Sequence, residues 1–394
     1  MAENALSDIR VLDVSQGISG PFCTKLLADF GAEVIKIEPP GGENARTQGP
    51  FLHDDPHPEK SGLFLHLNRN KQGITLNLTC RSGQKIFREL VKQADVVVEN
   101  FIPGFMASLG LDYESLEKMK SSLVMTSISY FGQNGPYQQF KGGEIIGYAM
   151  GGLMFFTGDK DHPPLKAAGS QAEYQAGLNA AVATLTALHL RDATGIGQQI
   201  DLSVMECVVS LLEGATLGFS IFGTERMRDG ARHHSACPST VLPCQDGYVF
   251  VHASSDWSDY VRFVEEPGLD DPKYEGPRRQ YADEIEEITL PWLMKHKKQE
   301  IFHMAQAHHL PFAIAYEIHE LLKDPHCQAR GFFPEIDHPA TGKLIYPGAP
   351  FKMSENRWES DRAPLLGEHN REIYCQRLGY SKEDVVKLRE MGII

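Results

Sequence analysis

From residue 10 to about residue 215, short apolar runs alternate with amphipathic stretches, and turn residues mark almost every exchange. RVLDV at 10–14 reads as a buried strand. The turn SQGISG and a helix follow, with Pro21 suited to the first helical position and Gly31 to the C-terminal cap. A second strand at 33–37 closes a βαβ unit. Further strands are predicted after LNRNKQG and within ADVVVEN, SLVMTSIS and QQIDLSV, with a helix at 84–92. The longest helical stretch, AEYQAGLNAAVATLTALHL, is rich in Ala and Leu and breaks at DATGIG. Ser170 before it and Glu173 three residues on form the S-x-x-E pattern of a capping box. Strands alternating with helices in this way predict an α/β fold with a largely parallel sheet and helices on both faces.

The pattern changes after about residue 222. TERMRDGARHHSACPS is polar and irregular, LPCQDGYVFVHAS reads as two short strands around an Asp-Gly turn, and charged helical stretches follow. From 331 the chain returns to loop and strand, then to two short helices. The 394 residues exceed what one hydrophobic core usually holds, which agrees with more than one domain. The predicted organisation is a large domain over 1–224, a small domain over 225–330, and a return to the large domain over 331–394.

A net charge of −14 leaves no basic excess for neutralising phosphates, so nucleic acid is excluded as a partner. The seven cysteines are scattered with no C-x-x-C, which fits a reduced cytoplasm and neither a zinc ribbon nor a disulfide framework. The acidic start, MAENALSDIRVLDV, is not the pattern of a signal peptide, and no apolar run approaches the ~20 residues of a membrane helix. The βαβ start invites a dinucleotide site, with Glu38 ~20 residues after the glycines. The turn offers only Gly17 and Gly20, not G-x-G-x-x-G, and the reading is set aside. The pairs His233–His234 and His308–His309 lack the carboxylate or cysteine spacings of a zinc enzyme, and no metal is expected. Neither a G-x-S-x-G elbow nor a P-loop is present. Asn100 and Phe101 follow the fourth strand, where they are either a strand end with a core aromatic or the edge of a ligand site.

In order along the chain stand VLDVSQGISGPFCTKLLADFGAEVIKIEPPGGENAR, NRNKQGITLNL, ADVVVENFIPG, YFGQNGP, AEYQAGLNAAVATLTALHLRDATGIGQQIDLSVME, DPHCQARG, GAPFKMS and APLLGEH. Together they resemble the class III (CaiB/BaiF) CoA-transferases, whose members include formyl-CoA transferase and carnitine CoA-transferase. The resemblance implies a Rossmann-like large domain with a parallel sheet, a smaller domain, and an intertwined ring-like dimer. It also implies transfer of CoA from an acyl-CoA donor, such as succinyl-CoA, to a carboxylic acid. No cofactor is bound permanently, since CoA thioesters are the substrates. An aspartate of the family attacks the donor thioester, and an enzyme-bound CoA thioester follows.

That aspartate opens the family's D-Y-x-x-G, and here the matching stretch is Glu173-Tyr174-Gln175-Ala176-Gly177. Three readings follow. Glu173 is a working nucleophile, its ionised form favoured by the helix N-terminus. Or Glu173 only completes the capping box, and the chain is the silent subunit of a heterodimer with a homologous partner, as in benzylsuccinate CoA-transferases. Or the chain is a racemase, against which the His-acid pair of those enzymes is replaced by Gly143-Glu144. A CoA-binding regulatory protein is the remaining alternative. The resemblance gives Glu173 and Glu144 as catalytic candidates and Arg69, Lys71, Asn100, Phe101 and Lys141 as CoA-binding ones. Pro39 and Ser108 replace arginines that some members offer to CoA, and Gly143 replaces a tyrosine.

Overall fold

The computed structural model describes residues 4–233, 236–253, 257–356 and 358–394, so His234 of the first histidine pair lies outside the described residues. Six strands form the main sheet: β1 (Arg10–Asp13), β2 (Glu33–Glu38), β3 (Lys71–Thr75), β4 (Val96–Glu99), β5 (Val124–Ser129) and β6 (Gln199–Ser203). All neighbouring pairs are parallel, in the order β3-β2-β1-β4-β5-β6. Leu12 of β1 stands opposite Ile35 on one side and Val97 on the other. Strands covered on both faces carry unbroken apolar runs, and Val96, Val97 and Val98 are fully buried. The strand order reverses between β1 and β4, so the loops that leave these two strands diverge and open a crevice at their carboxyl ends.

The Gln171–Thr194 helix packs along the Ser19–Asp29 helix through small side chains: Ala172, Ala176, Ala180, Ala181 and Thr184 are buried. A Cβ at Gly177 would lie 2.5 Å from the Ser19 carbonyl oxygen, so only glycine allows the two helices this approach. The opposite side of the helix exposes Leu178 (47%), Val182 (58%) and Leu185 (40%) at helical spacing.

Residues 369–374 return to cover the outer edge of β3. The Gly73 N–H donates to His369 Nδ1 at 3.0 Å, Thr75 N–H to Asn370 Oδ1 at 2.9 Å, and Tyr374 Oη to the Thr75 carbonyl at 2.5 Å. The groups an edge strand leaves open are thereby satisfied.

The chain divides into two compact units. One comprises Met1–Leu153, Lys166–Thr216 and Gly331–Ile394, and the other Met154–Leu165 and Leu217–Arg330. The second unit takes in Met154–Leu165, which chain order alone assigns to the large domain. There Gly230 N–H donates to the Gly158 carbonyl at 2.9 Å, and the Arg228 guanidinium binds the Asp159 and His162 carbonyls. This unit holds the hairpin of β7 (Ser239–Cys244) and β8 (Gly247–His252), with β9 (Ala313–Ile314) beside β8. The charged helical stretch expected after 283 is two helices, Ala282–Leu293 and Lys298–Ala307; Pro291 lies near the end of the first, and Glu300 caps the second by accepting the Lys297 N–H at 3.0 Å.

Candidate active site

A cavity of about 410 Å³ opens at the carboxyl ends of β1, β4 and β5. Its floor is the loop after β1, and buried charges hold that loop. Asp13 accepts the Ser15 N–H at 3.0 Å and the Ser15 hydroxyl, while Lys36 donates to the Ser15 carbonyl. Glu43, paired with Lys36 at 3.0 Å, accepts the Gly17 N–H at 2.7 Å. Gly17 has φ of 72°, the left-handed region glycine enters without a steric penalty. Asn100 joins this loop to the one after β4: its Oδ1 accepts the Gln16 N–H at 2.8 Å, and its Nδ2 donates to the Gln16 carbonyl at 2.7 Å. Burial alone would raise the Asp13 carboxyl, but Lys36 and Lys71 outweigh it and hold it at about 2.

Glu173 enters the cavity from the first turn of the Gln171–Thr194 helix. The capping box expected of Ser170 and Glu173 does not form: Ser170 is the N-cap residue, yet its side chain makes no capping hydrogen bond. Glu144 takes that role, its carboxylate accepting the N–H groups of Ala172 at 3.2 Å and Glu173 at 3.0 Å. Lys166 Nζ lies 3.8 Å from the same carboxylate. With the helix end already occupied by an anion, the expectation that it favours ionised Glu173 is also corrected. Burial raises the Glu173 pKa, the hydrogen bond from Tyr130 lowers it, Glu144 raises it, and the net direction is upward. The Glu173 side chain is consequently spared from capping. It accepts the Tyr130 hydroxyl at 2.5 Å and a hydrogen bond from the Ser19 backbone.

The neighbours of Glu173 account for the rest of its motif. Tyr174 packs edge-to-face on Phe22 with centroids 4.9 Å apart, and Gly177 is the point of close helix approach described above. Tyr130 follows β5, and its ring lies where a Cβ at Gly142 would fall, 2.1 Å from the ring carbon Cγ.

The structure brings Glu173, Asn100, Phe101 and Lys141 to one cavity, with Lys141 exposed. Glu144 stands behind them as the cap of the helix. Phe101 and Gln16 also line a second, smaller cavity of about 110 Å³ whose walls include Val14, Ile37, Leu76, Leu78 and Phe105. Pro39 is part of that wall, and Ser108 is exposed. Arg69 and Lys71 are not brought to the site. Lys71 is buried, and its ammonium donates to Asp13 at 3.0 Å, the Pro21 carbonyl at 2.9 Å and Asn68 at 2.9 Å. An ammonium has three donors, so none remains for a phosphate. Arg69 is fully buried, binding the Pro347 carbonyl at 3.0 Å and Ser360 at 3.3 Å, with its guanidinium 5.4 Å from the Tyr346 ring centroid. The role expected of this pair is corrected accordingly: they tie the sheet to its surroundings. Arg46 is likewise spent on Glu38 at 2.7 Å and Glu59 at 2.7 Å.

Sequence reasoning missed Tyr130, Ser19 and Gln16. The rule that ligands meet open α/β sheets beyond strand ends would have pointed to Tyr130, the first residue after β5. Among the described residues no three His, Cys, Asp or Glu side chains are grouped to hold a metal ion.

Residues 6–370 match the sequence profile of CoA-transferase family III. The chain is 33% identical over 397 residues to succinyl-CoA–D-citramalate CoA-transferase of Chloroflexus aurantiacus, covering 99% of this chain and 98% of that protein. It is 32% identical to formyl-CoA:oxalate CoA-transferase of Streptomyces coelicolor, with both chains covered in full (100%), and 32% identical to succinyl-CoA:glutarate CoA-transferase of Mus musculus, covering 99% and 90%. The crystal structure of a CAIB/BAIF family protein from Brucella suis superposes with a TM-score of 0.87 at 28% identity, covering 95% of this chain and 99% of that one. Sequence profile, full-length relatives and a parallel sheet with its crevice at the β1–β4 reversal agree, and the chain belongs to CoA-transferase family III, the CaiB/BaiF family.

Proposed function

We propose that this protein moves CoA from an acyl-CoA donor, such as the succinyl-CoA named in several of its relatives, to an organic carboxylic acid, with Glu173 as the nucleophile. One observation carries this reading: the Glu173 carboxylate is released from helix capping by Glu144 and faces the cavity. One oxygen of Glu173 attacks the acyl carbon, the bond to sulfur breaks, and CoA leaves as thiolate. The thiolate then attacks Cδ of the resulting mixed anhydride, a C–S bond forms, and the donor acid departs as its carboxylate. The acceptor carboxylate runs the two steps in reverse and leaves with CoA, regenerating Glu173.

The smaller cavity suits the adenine of CoA, since its walls are mostly apolar and include Phe101 and Phe105, with Gln16, Asn77 and Thr79 as polar groups. Lys141, exposed at the larger cavity, is the cation for the CoA phosphates. Asn100 holds the floor of the site, and Glu144 positions Glu173. The apolar stripe of Leu178, Val182 and Leu185 supports a dimer in which a homologous chain, identical or not, covers the helix. The seven cysteines are all free thiols, in keeping with a cytoplasmic enzyme. No helix among the described residues is long and apolar enough to cross a membrane.

The capping box that the silent-subunit reading invoked does not form, because Glu144 caps the helix in its place, and this favours the nucleophile reading. The deciding experiment incubates the purified chain with succinyl-CoA and a set of organic acids, traps the enzyme thioester with borohydride, and maps the label by mass spectrometry. A label at Glu173 in the chain alone is the expected result. Activity that needs a homologous partner, with the label only on that partner, would overturn the assignment.

A further inference from the structure

Glutamate is one methylene longer than the aspartate it replaces, so its carboxylate has one more torsion to fix before it can attack in a defined direction. Tyr130 supplies that restraint. Its hydroxyl lies 2.5 Å from Glu173 Oε1. Its ring is held from behind by the backbone at Gly142, where a Cβ would fall 2.1 Å away. The residue begins immediately after β5, a rigid element of the sheet. Tyr130 thus engages Oε1, and the attack is assigned to Oε2, the oxygen that Tyr130 does not hold.

We propose that Tyr130 is a catalytic residue of this transferase, its hydroxyl stabilising the oxyanion that forms on Glu173 Oε1 whenever sulfur or oxygen attacks Glu173 Cδ. The proposal rests on the reading of Glu173 as nucleophile. When Oε2 has attacked the acyl carbon, Oε1 is the carbonyl oxygen of the anhydride. Attack of the CoA thiolate on Cδ moves the carbonyl electron pair onto Oε1; collapse restores the carbonyl, breaks the Cδ–Oε2 bond, and releases the donor acid carrying Oε2. The same oxyanion forms when the acceptor carboxylate attacks the Glu173–CoA thioester and expels the thiolate. In the anhydride and the thioester Oε1 is a neutral carbonyl oxygen, whereas in the tetrahedral species it bears a full charge. A donor fixed beside it therefore binds the transition state more strongly than the ground state. Burial and the neighbouring Glu173 both raise the Tyr130 pKa, so the phenol keeps the proton it donates.

Tyr130→Phe keeps the ring against Gly142 and removes only the donor. With succinyl-CoA in a rapid-quench experiment, the Glu173 thioester captured by borohydride should appear about 10²–10³-fold more slowly than in the native protein, as for other oxyanion donors. The KM for acyl-CoA should change little. The acid limb of kcat/KM should move to higher pH, because the lost hydrogen bond is one that lowers the Glu173 pKa. A thioester that forms at the native rate in Tyr130→Phe, with the acid limb in place, would overturn the role of Tyr130 while leaving Glu173 as nucleophile. Absence of any Glu173 thioester in the native protein would overturn the nucleophile, and this proposal with it.

Discussion

Glu144 accepts the backbone N–H of Glu173 at 3.0 Å, and so one carboxylate binds the helix end that carries another. Substitution of Glu144 by Ala should therefore destabilise the protein by about 1–2 kcal/mol, the range for loss of an N-cap acceptor. Substitution of Ser170 by Ala, whose hydroxyl makes no cap, should stay within about 0.5 kcal/mol. Urea unfolding midpoints of the two variants, read at equal slope, check this pair of values. The Glu144 variant should also lose transferase rate, because Glu173 is no longer held in register.

Gly177 sits where the helix of Glu173 meets the Ser19 carbonyl, and a Cβ there would approach it to 2.5 Å. Gly177→Ala should destabilise by about 1–3 kcal/mol through overpacking. The same shift moves Glu173 away from Tyr130, so the thioester yield per turnover should fall together with the unfolding midpoint.

Lys71 and Lys141 part company as cations. Lys71→Met leaves Asp13 buried with Lys36 at 3.8 Å as its remaining cation, and a loss of about 3 kcal/mol or more is expected. Lys141→Ala should leave the unfolding midpoint unchanged and raise KM for acyl-CoA. Calorimetric titration with CoA against both variants, alongside denaturation, separates a binding cation from a structural one.

Burial lifts the Glu99 carboxyl from 4.5 to about 7, against hydrogen bonds from Ser127 and the Phe101 N–H, with Asp201 adding to the rise. The folded protein then holds this proton more tightly than the unfolded chain does. Its contribution is complete below pH 4.5 and is lost as pH rises to about 7. Relative to Glu99→Gln, the native protein should lose roughly 3 kcal/mol between pH 5 and 8. Urea midpoints of both proteins across that interval give the difference directly.

The exposed row of Leu178, Val182 and Leu185 should be closed by a second chain. Val182→Glu together with Leu178→Glu should shift the protein toward monomer in light scattering coupled to gel filtration, with secondary structure retained by circular dichroism. An unchanged mass would place the interface elsewhere.

The sheet was legible in the sequence because strands buried on both faces carry continuous apolar runs, of which Val96–Glu99 is an example. The site was legible only in part. Glu173, Asn100, Phe101 and Lys141, all named from the sequence, line one cavity, but the capping box was read from four adjacent residues. Its true acceptor, Glu144, lies 29 positions upstream of Glu173. Lys71 read as a CoA-binding cation because its partner Asp13 is 58 positions away. For Tyr130 the sequence signal was only its place after β5, since the contact that gives it a role is with a side chain 43 positions downstream. In each case a long-range partner decided what a local pattern could not.

The cover over β3 joins residues 299 positions apart along the chain, Thr75 and Tyr374. During synthesis the strand therefore leaves the ribosome long before its cover exists, with the whole second unit still to be made. Until residues 369–374 arrive, a nascent chain presents an open parallel edge of the kind that invites pairing with another copy. Chaperone demand in a cell should accordingly concentrate on this edge rather than on the helices packed against the sheet.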